Sequence, residues 1–181
     1  MTAEKSVQSL LPVEGKLYAV LLGALIVILT TTVPYLTLVN VFLFVGIFLA
    51  GLISLHNTIL RFQVTLTFRE AFALGCMAGF MGGVLSEVVT FFLMEFLHYR
   101  PGTESLALVI DWALEMAKGR PELQKQVQAL VAAEKLAIAP VSLSFTDILM
   151  NMAFSGVFYA PIAGLGGAYA VRRLKRQAAR G

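Results

Sequence analysis

From Leu17 to Leu60 the chain carries no Asp, Glu, Lys or Arg. One helix needs roughly 20 apolar residues to cross a hydrocarbon core, so this run is long enough for two passes. No soluble domain of this size can hide such a stretch on every side. Thr30-Thr31-Thr32-Val33-Pro34 interrupts it, because Pro34 has no N–H to donate and steers Val33 away from helical backbone. The pattern predicts a tight hairpin, with a first span at about 17–33 and a second at about 35–58. Asn40 then lies near the outer end of the second span, His56 and Asn57 lie near its inner end, and Arg61 closes the pair.

The rest of the chain repeats the theme. Apolar residues make up 58% of it and charged residues 14%, with a mean hydropathy of +0.80; a soluble domain runs about 45–50% and about 25%. The expectation is an all-α polytopic membrane protein, residues 1–181 forming one membrane domain. A third span at about 70–97 opens on Thr67 with Glu70 three residues later, the spacing of a capping box. It ends at His98-Tyr99-Arg100-Pro101-Gly102. The fourth span covers about 144–171. Residues 103–139 between them are too charged to cross and read as two amphipathic helices forming an outer segment. Thr103 caps the first, Gly119 ends it, and Pro121 starts the second. Trp112 serves there as an interfacial anchor. The short polar start, Met1 to Lys16, reads as a tail with an amphipathic lead-in around Val7, Leu10 and Leu11 instead of a cleaved signal peptide.

Basic residues set the orientation. Lys5, Lys16, Arg61, Arg69, Arg172, Arg173, Lys175, Arg176 and Arg180 fall on one side of a four-span arrangement, whereas residues 97–140 carry five basic and five acidic groups. The positive-inside rule therefore places both termini in the cytoplasm and residues 97–140 on the outer side. A net charge of +3 concentrated at one end is no nucleic-acid signature. Arg172, Arg173, Lys175 and Arg176 obey topology and can also attract acidic lipid headgroups.

Chemistry-bearing motifs are sparse. Cys76 is the only cysteine, so no internal disulfide or thiolate cluster can form. His56 and His98 are the only histidines and belong at opposite faces, which excludes joint ligation of a metal or haem. No nucleophile–base pairing, HExxH, P-loop or Rossmann pattern is present. The expectation is a protein without cofactor, metal site or enzymatic activity.

One stretch stands apart, Gly75-Cys76-Met77-Ala78-Gly79-Phe80-Met81-Gly82-Gly83-Val84-Leu85-Ser86-Glu87. Gly75, Gly79 and Gly83 recur every four residues, and Glu87 is the next step on the same helical stripe. Small residues let a second helix approach closely, while a carboxylate at membrane depth is costly unless paired, neutral or wet. Gly156, Ala160, Gly164 and Ala168 form a second stripe in the last span, with Pro161 expected to kink it. At about 1.5 Å per residue, Glu87 lies about 27 Å above Arg69, level with Ser155 and Asn151 at about 26 and 32 Å from Arg172. The two stripes predict a third-span to fourth-span contact that pairs Glu87 with Ser155 or Asn151. Such a contact is either a structural clamp or a protonatable site in a permeation or coupling pathway.

The order of elements, and the phrase Thr67-Phe68-Arg69-Glu70-Ala71-Phe72-Ala73-Leu74-Gly75 opening the third span, resembles an uncharacterised bacterial family with four transmembrane helices. In that family a Ser/Thr-Phe-Gly-x-Ala-Phe-x-x-Gly phrase starts the third span. Thr67, Phe68, Ala71, Phe72 and Gly75 match it, while Arg69-Glu70 replaces the glycine and the residue after it. The resemblance implies a bacterial inner-membrane location and supplies no activity. Two function classes follow. One is an accessory, assembly or scaffold subunit that packs against another membrane protein or its own copies; the other is a small transporter or channel built around Glu87.

Overall fold

The computed structural model describes residues 11–41, 43–138 and 144–179. All regular structure among them is α-helical: α1 (Val13–Thr32), α2 (Leu38–Val41), α3 (Val45–Phe62), α4 (Phe68–Leu97), α5 (Thr103–Ala117), α6 (Pro121–Ile138) and α7 (Phe145–Ala178). Val7, Leu10 and Pro140 lie outside the described residues. The helices α1, α3, α4 and α7 are each long and apolar enough to cross a membrane. With 20, 18, 30 and 34 residues, they measure about 30, 27, 45 and 51 Å.

These four form a bundle in which α1 and α4 run one way and α3 and α7 the other. Neighbouring glycines record the pairings. A Cβ at Gly23 would meet Ala78 and one at Gly82 would meet Val27, so α1 and α4 ascend together. Opposite Gly75, Gly79 and Gly83 lie Ala163, Tyr159 and Ser155, so α7 descends along α4. The α4–α7 seam is the most extensive in the molecule, and α3 closes the bundle by packing on both α1 and α7. Val27, Ile47, Ala50 and Ala163, each with no exposed surface, fill the middle of the bundle. A second cluster around Ala19, Leu55, Ala71 and Ala170 fills the end where α1 and α4 begin.

The second long apolar helix starts at Val45, about ten residues later than the expected 35–58 span. The intervening loop is apolar, but its backbone leaves the helical region at Tyr35 (φ 62), Leu43 (φ 54) and Phe44 (φ 57). Asn40 holds this turn together. Its Nδ2 donates to the Thr30 carbonyl at the end of α1 (2.9 Å), and its Oδ1 accepts from the Ile47 N–H in the first turn of α3 (3.2 Å). One amide thus satisfies the Thr30 carbonyl, which Pro34 cannot pair, and gives a second acceptor to the Ile47 N–H, which also donates to the Phe44 carbonyl (3.0 Å). The Thr30, Thr31 and Thr32 hydroxyls donate back to the carbonyls of Val27 and Ile28, which keeps them paired at apolar depth.

The other boundaries follow from capping chemistry. Thr67 and Glu70 form both halves of a capping box at the start of α4. Ser144 and Asp147 build a second one at α7. Thr103 does not cap α5: Gly102 (φ 91) occupies that position, and the Thr103 hydroxyl donates backward to the Arg100 carbonyl. Gly119 (φ 78) then turns the chain into α6, whose first residue is Pro121. The helices α5 and α6 pack on each other as a hairpin, tied to the bundle by a Thr37–Ser105 hydroxyl pair. The last crossing helix, α7, runs on to Ala178, past the expected limit of 171, and continues without interruption through Pro161, whose ring is exposed.

Candidate functional site

Glu87 is brought into place by the seam beneath it. A Cβ added at Gly83 would lie 2.6 Å from the Ser155 carbonyl oxygen, and one at Gly79 2.6 Å from that of Tyr159. Both distances are below any real Cβ contact, so only glycine lets the α7 backbone lie directly on α4. That approach carries the Ser155 side chain to the level of Glu87. The Ser155 hydroxyl, 6% exposed, donates to Glu87 Oε1 at 2.6 Å. Of the two partners named from the sequence, Ser155 is the one in direct contact.

Asn151 sits one turn further along α7. With Glu87, Thr90, Phe91, Met94 and Ile148 it lines a recess of about 20 Å³. That is room for a single water, which needs roughly 10–15 Å³ and several polar partners. The carboxyl of Glu87, the hydroxyl of Thr90 and the amide of Asn151 are such partners. Tyr159, one turn from Ser155 on the other side, is half-buried beside Glu87 and Ser155. Sequence reasoning missed Tyr159; the signal was its place four residues after Ser155 on the same α7 stripe.

Both small-residue stripes are used inside the chain. Gly156 faces Phe80 and Val84, Gly164 faces Cys76 and Phe72, and half-buried Ala160 lies between them. A second rail on α7 meets α3: a Cβ on Gly166 would lie 2.0 Å from the Phe48 carbonyl oxygen, and one on Gly51 1.9 Å from that of Ala163. Below Glu87 the bundle is therefore closed by backbone-to-backbone packing and by the Val27, Ile47, Ala50 and Ala163 layer.

The site offers one carboxyl, three hydroxyls and one amide. It can hold or pass a proton and can bind water, but it lacks the donor set of a transition-metal centre. Among the described residues no three His, Cys, Asp or Glu side chains come together. His56 lies half-buried on α3 with its Nδ1 unpartnered among the described residues. His98 ends α4 in left-handed backbone (φ 49), and its N–H donates to the Leu93 carbonyl.

At the opposite end of α7 the four basic residues separate. Arg172, Arg173 and Arg176 surround a recess of about 240 Å³ shared with Tyr169 and Gln177. Lys175 turns away, its Nζ 4.9 Å from the centre of the Phe68 ring. Arg61 likewise stacks over Tyr18, 4.6 Å from the ring centre.

No protein-family model, no curated protein and no solved structure matches this chain.

Proposed function

We propose that the protein is a non-catalytic integral membrane subunit, an accessory or scaffold that assembles with another membrane protein or with its own copies, and that the Glu87–Ser155 contact is a clamp within it. The observation that carries this reading is the dry layer beneath Glu87. Val27, Ile47, Ala50 and Ala163 have no exposed surface, and the glycine seams above and beside them leave backbone touching backbone. A carboxyl above such a layer has a hydrogen-bond partner and no wet route onward. The surface left for a partner is elsewhere than the glycine stripes, which are spent inside the chain. The α5–α6 hairpin, with Trp112 52% and Met116 70% exposed, is the surface this reading assigns to docking.

The same proposal places the chain in a bacterial inner membrane with both termini cytoplasmic and residues 97–140 outside, on the asymmetry of basic residues. Membership of the uncharacterised four-span family belongs to the proposal as well. Transport is the second reading, favoured by the single-water recess beside Glu87.

Two experiments on the full chain separate these readings. Purification in a mild detergent, with crosslinking before lysis, is expected to recover a stoichiometric membrane partner or a defined homo-oligomer; a monodisperse monomer with no crosslinked partner overturns the scaffold reading. Reconstituted vesicles are expected to show no proton or cation flux above empty vesicles. Flux that Glu87→Gln abolishes while assembly is unchanged establishes transport in its place.

A further inference from the structure

We propose that the recess between Tyr169, Arg172, Arg173, Arg176 and Gln177 is a binding site for the phosphate of an anionic phospholipid. The five residues lie at i, i+3, i+4, i+7 and i+8 of α7 and so share one helix face. Three arginines line about 240 Å³ of open space there. Among the described residues no carboxylate pairs with them: the one ion pair there joins Lys118 to Glu115 on the distant hairpin. The carbonyl end of α7 offsets part of the crowded positive charge. A phosphate offsets far more, because guanidinium forks bind its oxygens in pairs. The Tyr169 hydroxyl and the Gln177 amide add two neutral donors at the rim.

The surroundings identify the phosphate as a lipid's. Directly below Arg172 and Arg173 the helix is apolar. Ala170 and Val171 are buried in the bundle, and the Tyr169 ring lies 5.9 Å from that of Phe48 on α3. One turn further on, Leu165 is 59% exposed. An outward apolar face continuous with a cationic recess matches a molecule whose phosphate carries acyl chains. A free phosphate has no use for that face. The site is also selective within the basic tail, since Lys175 is spent on the Phe68 ring. This distinguishes a site from the diffuse attraction that any basic segment exerts on an acidic surface, where each charge contributes about equally. The inference does not depend on which side of the membrane the tail occupies.

The test uses the full-length protein in detergent, with retention of added phosphatidylglycerol followed by native mass spectrometry. Phosphatidylcholine is the neutral comparison and glycerol 3-phosphate the soluble one. Arg172→Gln and Lys175→Gln remove the same charge three positions apart. The expected result is about tenfold weaker phosphatidylglycerol retention for Arg172→Gln, as for loss of one paired guanidinium contact, and less than about twofold for Lys175→Gln. Arg172→Lys, which keeps the charge and loses the fork, is expected to fall between wild type and Arg172→Gln. Both side chains are exposed, so thermal unfolding in lipid-free detergent is expected to stay unchanged. Equal losses for Arg172→Gln and Lys175→Gln overturn the site in favour of general surface charge. Competition by glycerol 3-phosphate as strong as that by phosphatidylglycerol overturns the lipid assignment in favour of a soluble phosphate ligand. Equal retention of phosphatidylcholine overturns the role of the arginines altogether.

Discussion

Ser155 and Glu87 are 68 positions apart and share one hydrogen bond of 2.6 Å. Interhelical polar contacts at membrane depth contribute modestly, about 0.6 kcal/mol on average and up to about 1.7, because the unfolded chain in a membrane finds other partners. A double-mutant cycle of Glu87→Gln and Ser155→Ala, read by unfolding in mixed micelles, is expected to give a coupling of about 0.6–1.7 kcal/mol; zero coupling would remove the clamp. Another titratable group makes a separable prediction. Burial and a hydrogen bond to Glu104 push the Tyr99 hydroxyl up to about 12 from an ordinary value of 10.0. The folded state thus favours the neutral phenol. Its contribution to stability is complete below pH 10 and is lost as pH climbs toward 12. Ultraviolet titration of tyrosinate should show a late-ionising component that is lost in Tyr99→Phe.

Among the elements, the α4–α7 seam carries the arrangement. Gly79 and Gly83 permit it, since any side chain there would strike α7 backbone carbonyls and not a movable rotamer. Gly79→Val is expected to cost about 1–3 kcal/mol, the usual range for overpacking a close interface. Ala73→Val, on the exposed side of the same helix, is expected to leave stability within about 0.5 kcal/mol. Equal effects of the two substitutions would mean that α7 does not lie on the glycine face. The crossing helices differ in reach for a related reason. At about 27–30 Å, α1 and α3 match a hydrocarbon core of about 30 Å, whereas α4 and α7 exceed it by about 15–20 Å. Their surplus turns stand beyond the ends of the shorter pair and frame the recess beside Glu87.

For the molecule as a whole, the basic end of α7 and the α5–α6 hairpin lie at opposite ends of the bundle. If the proposed topology holds, a single cysteine at Glu115 in a Cys76→Ala background should react with a membrane-impermeant maleimide in intact cells. One at Ala178 should react only after lysis; the opposite pattern reverses the topology. Both positions are exposed, so labelling reports sidedness and not burial.

Class, number of long apolar helices and the level of Glu87 were all legible in the residues. Hydropathy, proline and capping signals act locally, and helix rise converts sequence distance into depth. The Thr67–Glu70 box and the four-residue ladder of Gly75, Gly79 and Gly83 needed no tertiary information. The start of α3 did. The loop between Val33 and Phe44 is as apolar as a span, and only left-handed backbone at Leu43 and Phe44, together with the Asn40 bridge, keeps it from continuing as helix. Equally, nothing local says which partner a glycine stripe meets, or that Lys175 departs from three neighbouring arginines toward Phe68. Those outcomes depend on which helices lie side by side, and that is decided by packing between segments far apart in the chain.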